Sequence, residues 1–369
     1  MTDRFEIFMT ATPGLEQALL SEAHENGFAD AKVTPGGVTI TGTWVDVWRA
    51  NLTMRGATRV LARIGSFMAF HLAQLDKRAR KFPWGDVLRA DVPIRVEVAT
   101  SRKSKIYHAG AATQRIENAL KAQGYQISAD APIAIKARID DNRVTLSVDT
   151  SGESLHKRGH KEAVGKAPMR ETLAALMLRE CGYTGREPVL DPMCGSGTFV
   201  IEAAEIAAGL HPGRTRSFAF EQLASFKPDT WADMRKTGEI THPTSHFHGS
   251  DRDAGAVRMA TANAERAGVG HLITFQNLNA SDIQRPEGPP GLIICNPPYG
   301  GRIGNPKMLY SVYAGLGETL KLRFAGWRVG IVTNDAGLAK ATGLPFDPKG
   351  PAIPHGGLKV WLFRTGPLP

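Results

Sequence analysis

Residues 188–203 read Pro188-Val189-Leu190-Asp191-Pro192-Met193-Cys194-Gly195-Ser196-Gly197-Thr198-Phe199-Val200-Ile201-Glu202-Ala203. A short apolar run enters a turn with two glycines and leaves it as a helix, Phe199–Ala208. That strand–turn–helix step opens a series. Phe247–Ser250, Ile273–Gln276, Leu292–Cys295 and Arg328–Thr333 are further apolar strands with helices between them, and Lys359–Arg364 reads as a last strand. Strands alternating with helices predict a doubly wound, mostly parallel sheet, which binds ligands at the carboxyl ends of its strands. Gly195 and Gly197 leave room for a ligand against the backbone, and the helix start at Gly197–Phe199 offers free N–H groups. Position 200 is Val, so the third glycine of the dinucleotide fingerprint is missing, and no Gly-Lys-Ser/Thr phosphate loop follows. An acid at the strand end, Asp191, suits a cationic group such as an ammonium.

The next strand ends carry polar side chains as well. Gly249-Ser250-Asp251-Arg252-Asp253 puts Asp251 where an acid grips ribose hydroxyls, and Asp253 reads as the N-cap of helix Ala254–Arg266. Asn277-Leu278-Asn279-Ala280-Ser281-Asp282 is polar enough to read an adenine edge. Asn296-Pro297-Pro298-Tyr299-Gly300 follows the strand Leu292–Cys295. Two prolines stiffen this turn and leave its carbonyls unpaired. An Asn amide oxygen and a Pro carbonyl can together accept both hydrogens of an exocyclic amine. Tyr299 offers a flat face for a base lifted out of its stack.

The first 150 residues read as two small α+β modules. In the first, a strand at Phe5–Thr10 and a helix from Pro13-Gly14-Leu15-Glu16 to His24 precede a hairpin about Gly36-Gly37 and a helix at Trp44–Asn51. In the second, Arg59–Phe67, Leu72–Lys81, Ile94–Ala99 and Ala109–Gln123 alternate as strand, helix, strand and helix. A hairpin about Asp140-Asp141-Asn142 closes it. Lys157–Pro168 is a basic connector, and residues 211–245 read as an insertion without periodicity.

Composition narrows the class. The 369 residues carry a net charge of +9, with +5 in residues 1–165, so the basic excess is spread along the chain and fits a polyanion partner. Forty-two per cent hydrophobic and 22% charged residues exclude a disordered chain or a fibre. Three cysteines, Cys181, Cys194 and Cys295, have no paired spacing, and His108, His156 and His160 fit no metal pattern, so neither a disulfide scaffold nor a metal is expected. No apolar run approaches the roughly 20 residues of a membrane span, and the N-terminus lacks a signal pattern, so a cytoplasmic enzyme is expected.

Read together, these motifs resemble the THUMP-domain class I RNA methyltransferases, most closely the bacterial enzymes that make N2-methylguanine in 23S ribosomal RNA. The resemblance covers nearly the whole chain. Ala11-Thr12-Pro13-Gly14-Leu15-Glu16, Gly36-Gly37-Val38, Ser154-Leu155-His156-Lys157-Arg158-Gly159-His160 and Ala167-Pro168-Met169-Arg170-Glu171-Thr172-Leu173-Ala174 carry it, with Asp191–Ala203 and Asn296–Gly300. It implies a ferredoxin-like module at 1–60, a THUMP RNA-binding domain at 61–153, a basic linker at 154–170 and a Rossmann-like class I methyltransferase domain at 171–369. It also implies S-adenosylmethionine (SAM) as cofactor. By matching position, Arg170, Asp191, Met193, Cys194, Gly195, Ser196, Gly197, Thr198, Asp251, Arg252, Asn279, Ala280 and Asn296 surround the cofactor, and Asn296, Pro297, Pro298 and Tyr299 hold the substrate amine. The family usually has Asp where Asn279 stands, so either Asn279 or Asp282 is expected to face adenine. Relatives often carry a second methyltransferase domain; with the chain ending at Pro369, one methylation is expected.

The partner implied is RNA, 23S ribosomal RNA or an assembly precursor, with Lys77, Arg78, Arg80, Lys81, Arg102, Lys103, Lys105, Lys157 and Arg158 as candidate phosphate contacts. Transfer RNA guanine methylation and adenine-N6 methylation use the same amine-holding loop and remain alternatives, as does a non-catalytic RNA-binding assembly factor. A nicotinamide-dependent oxidoreductase is disfavoured by the missing glycine and the Pro-Pro-Tyr turn.

Overall fold

The computed structural model describes residues 4–162, 169–236, 241, 243–300 and 306–369. The chain forms two compact units. Of the described residues, one takes those within 4–11, 22–155 and 215–236, and the other takes those within 12–21, 156–214 and 241–369.

The first unit is built on one seven-stranded sheet in the order β2-β3-β1-β4-β7-β6-β5. Its strands are β1 (Phe5–Thr10), β2 (Lys32–Thr34), β3 (Gly37–Gly42), β4 (Arg59–Met68), β5 (Ile94–Thr100), β6 (Ile133–Asp140) and β7 (Arg143–Asp149). All pairs are antiparallel except β5 with β6. Alternation sends Ile133, Ile135, Ala137 and Ile139 of β6 into the core and Lys136 and Arg138 to the other face, where Ala134 is buried as well. The core side is covered by α2 (Trp44–Thr53), α3 (Leu72–Arg80) and α4 (Ala109–Ala122), which bury Trp48, Leu75, Ile116 and Leu120.

One expectation is corrected here. The segments read as two modules, 1–60 and 61–153, contribute to one sheet, because β4 pairs with β1 on one side and β7 on the other. The insertion, expected within the methyltransferase domain, folds in part into this first unit. Phe218, Phe220 and Trp231 are buried, and the Phe220 ring lies 6.0 Å from Trp48 and 5.0 Å from Trp231. Its backbone joins too, because the Phe220 N–H donates to the Thr150 carbonyl at 3.0 Å. Irregular aromatic spacing gives no period because Trp48, one partner of the Phe220 ring, lies some 170 positions away in sequence.

The second unit carries the predicted doubly wound sheet, ordered β10-β9-β8-β11-β12-β14-β13. Its strands are β8 (Val189–Asp191), β9 (Phe247–Asp251), β10 (Ile273–Asn277), β11 (Leu292–Cys295), β12 (Arg328–Thr333), β13 (Ile353–His355) and β14 (Leu358–Arg364). The first five run parallel, and β14 returns antiparallel against β12. Strand order reverses beside β8, which pairs with β9 on one edge and β11 on the other. Helices α5 (Glu171–Glu180), α6 (Thr198–Ala207), α8 (Ala254–Ala267), α9 (Pro306–Arg323) and α10 (Ala336–Ala341) complete it, α7 (Pro228–Lys236) belonging to the first unit. Helix α6 is buried from Thr198 to Glu205, including two glutamates.

The linker expected at 154–170 is also corrected in part. Residues 163–168 lie outside the described residues, but 158–161 pack tightly. Arg158 is 2% exposed and its guanidinium lies 3.2 Å from the Glu202 carboxylate. Lys161 Nζ donates to the Met169 carbonyl at 2.7 Å and Thr198 Oγ1 at 2.8 Å, and sits 3.3 Å from Glu171. Residues 12–21, read as part of the first module, belong to the second unit; a Cβ on Gly14 would stand 3.1 Å from the Ala352 carbonyl.

Replacing the ring at the centre of the aromatic cluster tests the placement of the insertion. Phe220→Ala should destabilise the first unit by about 3–5 kcal/mol, the usual cost of emptying a packed aromatic site. Urea unfolding followed by tryptophan fluorescence measures it. An unchanged transition would mean that residues 215–236 are not part of that core.

Candidate cofactor and methyl-transfer site

The crevice beyond the carboxyl ends of β8, β9, β10 and β11 gathers the polar strand ends. Asp191 closes β8 and is 2% exposed; its Oδ1 accepts the Met193 N–H at 3.0 Å. Burial pushes its carboxyl well above the ordinary carboxylate range, and the nearby Asp251 charge pushes in the same direction. Asp251 closes β9. Its Oδ2 accepts the Gly195 N–H at 3.0 Å and its Oδ1 the Asp253 N–H at 2.9 Å. Each carboxylate oxygen keeps a second lone pair, so Asp251 still has acceptor capacity toward a ligand. Gly195 (φ +53°) and Gly197 (φ +82°) take the left-handed backbone that this turn requires. Asp253 caps α8, accepting the Gly255 N–H at 2.7 Å, as its position predicts.

A cavity of about 440 Å³ opens here, lined by Pro192, Met193, Asp251, Arg252, Asn279, Ala280, Ser281 and Pro298, with Ser311, Val312, Gly315 and Leu316 from α9. That volume suits a small-molecule site, for which about 300–1,000 Å³ is usual. The structure thus brings together Met193, Asp251, Arg252, Asn279, Ala280 and Pro298 of the expected residues. Asn279 Nδ2 donates to Asp282 Oδ2 at 2.9 Å, which leaves Asn279 Oδ1 as its acceptor. Asp282 therefore orients Asn279 and is not itself among the lining residues.

Arg170, Asp191, Cys194, Gly195, Ser196, Gly197 and Thr198 are not among the lining residues. Arg170 is the exposed N-cap of α5. The Thr198 hydroxyl is held by Lys161, so Thr198 can offer a ligand its backbone but not its side chain. Cys194 is buried, and desolvation pushes its thiol far up, which removes it as a nucleophile. The α9 residues were missed. The only signal was Gly315, a small residue in a helix that follows the Pro-Pro turn.

The Asn296–Tyr299 turn departs from expectation in one respect. Asn296 Oδ1 is buried without a hydrogen-bond partner among the described residues. Pro297 is buried and Pro298 half-buried. The Tyr299 ring is wholly buried (0% exposed), so it is not an open stacking face. Directly after two prolines the chain turns inward, and an apolar ring gains more in the core than at the rim. Among the candidate phosphate contacts, Lys77, Arg78, Arg80, Lys81, Arg102, Lys103, Lys105 and Lys157 are exposed, whereas Arg158 is paired with Glu202 inside the fold. No group of three metal-ligating side chains occurs among the described residues, and no described helix is long and apolar enough to cross a membrane.

The geometry has counterparts. The RMKL-like methyltransferase domain family matches residues 158–345, and the RlmL ferredoxin-like domain matches residues 6–61. The chain is 33% identical to slr0064 of Synechocystis sp., provisionally named an RNA methyltransferase, over 97% of this chain and 95% of that one. The chain belongs to the RMKL-like methyltransferase family. It is also 33% identical to the ribosomal RNA large subunit methyltransferase K/L of Vibrio campbellii over 87% of its own length, spanning about half (48%) of that protein. The crystal structure of SMU.472, provisionally assigned as a methyltransferase and solved with S-adenosylhomocysteine, superposes with a TM-score of 0.86 at 27% identity over the full length of both chains. The methyltransferase is therefore SAM-dependent, and its strand-end carboxylates and cavity fit that cofactor.

One titration follows from the strap before α5. His156 is pushed down to about 4 by burial and by the charges of Arg170, Lys157, Lys161 and Arg158. Between pH about 6.5 and 4 the unfolded chain then binds more protons at this position than the folded one. Stability should fall as the pH drops through that window. Urea midpoints at pH 7 and pH 5 should differ less in His156→Gln than in the wild type; an equal difference would show that His156 is not the group responsible.

Proposed function

We propose that this methyltransferase modifies the exocyclic N2 amine of a guanine in RNA, with 23S ribosomal RNA or an assembly precursor as substrate. The names borne by the Synechocystis and Vibrio relatives support RNA as the substrate class. The observation that carries the chemistry is the buried Asn296 Oδ1, which has no hydrogen-bond partner among the described residues. A buried acceptor left unmade costs about 1–3 kcal/mol, so its value lies in a donor that arrives with the substrate. A guanine N2 amine has two N–H donors. Asn296 Oδ1 takes one and the Pro297 carbonyl takes the other, which turns the nitrogen lone pair toward the methyl group. SAM supplies that methyl on a sulfonium. The amine nitrogen would form the new bond as the carbon–sulfur bond to the methyl breaks, leaving a neutral thioether, and one amine proton would pass to solvent.

In this reading Asp191 meets the cofactor's ammonium, Asp251 its ribose and Asn279 Oδ1 its adenine amine, while Met193, Arg252 and Ala280 form walls. Residues 61–153 act as a THUMP RNA-binding module, and the exposed lysines and arginines of α3 and of residues 102–105 contact phosphates.

The cofactor assignment predicts a pH dependence. Asp191 must be ionised to hold an ammonium, and its carboxyl sits above the usual range, so SAM affinity should rise with pH above that range. Asp191→Asn should lose about 1–3 kcal/mol of binding and flatten this dependence. Calorimetric titration at several pH values measures both, and wild-type affinity in the variant would remove Asp191 from the site.

The amine assignment predicts that Asn296→Ala lowers turnover by roughly 10²–10³ with SAM affinity little changed. Methylated nucleosides should be mapped in ribosomal and transfer RNA from cells with and without the protein. Loss of N2-methylguanine from 23S RNA supports the proposal. Loss of a transfer RNA mark or of N6-methyladenine replaces it.

A further inference from the structure

Three loops of the first unit meet around Asn142. This residue closes the β6–β7 hairpin with left-handed backbone (φ +60°), a conformation Asn tolerates. Its carbonyl accepts the Ala69 N–H at 2.9 Å and its Oδ1 accepts the Lys105 N–H at 2.8 Å. Its own N–H donates to Ser104 Oγ at 3.2 Å. The loop between β5 and α4 is thus pinned in register. Ser104 and Ile106 are buried, and the residues between and beside them, Lys103, Lys105 and Tyr107, point out. Thr100 Oγ1 donates to the Tyr107 carbonyl at 2.9 Å and fixes the end of the run.

Two large rings are left in solvent on this rigid base. Tyr107 is 65% exposed, with the His108 ring 4.3 Å away, and Phe70 is 42% exposed, with Lys105 Nζ 5.6 Å from its centre. Arg102, Lys103, Lys105 and Arg143 are exposed around them. The acids present are Asp140 and Asp141, and Asp140 is already engaged by Arg138 at 3.2 Å. Scattered exposed apolar residues need no explanation. Here two exposed rings share one pinned set of loops with four cations.

We propose that this loop cluster is a stacking platform for unpaired nucleotides of the RNA substrate, with Arg102, Lys103 and Lys105 on the flanking phosphates. The inference rests on the RNA reading above and adds what part of the RNA is gripped. Stacking accepts any base but needs an open base face, which a continuous duplex does not offer. Recognition would therefore select a loop, bulge or single-stranded end.

Fluorescence anisotropy of the full chain, with a labelled hairpin RNA and a blunt RNA duplex of equal length, tests this. Tyr107→Ala and Phe70→Ala should each weaken hairpin binding roughly 5- to 100-fold and leave duplex binding nearly unchanged. Tyr107→Phe should bind as the wild type does. Lys103→Ala should weaken both RNAs and lower the salt dependence by about one phosphate contact. Unchanged circular-dichroism melts and SAM affinity in the variants exclude misfolding. Wild-type hairpin binding by the Tyr107→Ala/Phe70→Ala double variant would overturn the platform and leave the RNA reading standing. Equal loss on hairpin and duplex would overturn stacking. If the wild type bound neither RNA, the RNA reading itself would fall, and the platform with it.

Discussion

The contact on which the candidate site depends is the one between Asp251 and the Gly195 N–H. It ties the turn after β8 to the end of β9. The strands already run side by side, with Asp191 opposite Gly249, but strand pairing stops where the turn begins. A carboxylate at that point fixes the loose backbone and keeps a lone pair for a ligand. Gly249 belongs to the same arrangement. A Cβ there would stand 2.7 Å from the Phe275 ring, so only glycine lets β9 and β10 close up beside the site. The cost of this compact layout is two carboxylates in one crevice. Their mutual repulsion and the burial of Asp191 favour a cation in that place.

A second constraint lies behind the turn. Helix α6 carries Glu202 and Glu205 into the core, and a buried carboxylate is tolerated only with a close partner. The strap 156–162 supplies Arg158 to Glu202, and Arg214 reaches Glu205 at 2.5 Å. Lys161 adds the link from this strap to Thr198, the first residue of α6. The basic run His156-Lys157-Arg158 therefore splits by direction. Lys157 faces solvent, and Arg158 seats the helix whose N-terminus borders the glycine turn. Charge composition alone does not distinguish these two uses, because the deciding glutamates lie some 44 positions downstream on a helix that reads as apolar.

Where one segment contains its own explanation, sequence was enough. The parallel strands were legible because each is a short apolar run buried on both faces, and the polar strand ends stood out against them. Asp253 was legible as a cap because capping is local. What depended on distant partners was not. The insertion shows no period because Phe218, Phe220 and Trp231 pack in the unit that holds Trp48. The single sheet of the first unit hides in sequence because β4 satisfies the local signals of one module while pairing with both. Tyr299 has the chemistry of a stacking residue, but its direction is set by the core beneath the Pro-Pro turn.

Asn296 makes the opposite case. Asn51 bonds the Val47 carbonyl and the hydroxyls of Thr150 and Ser151. Asn51 shows that this fold satisfies a buried amide fully where the amide's role is structural. Asn296 Oδ1 is equally removed from solvent and lacks such a partner among the described residues. The residue after it is proline, which has no N–H to offer, so the turn cannot satisfy the oxygen from within. An acceptor held rigid, dry and unpaired at a strand end loses stability in the free protein and returns it when a donor docks. The chemistry that repays it is an N–H group, which the amine of the proposed substrate carries.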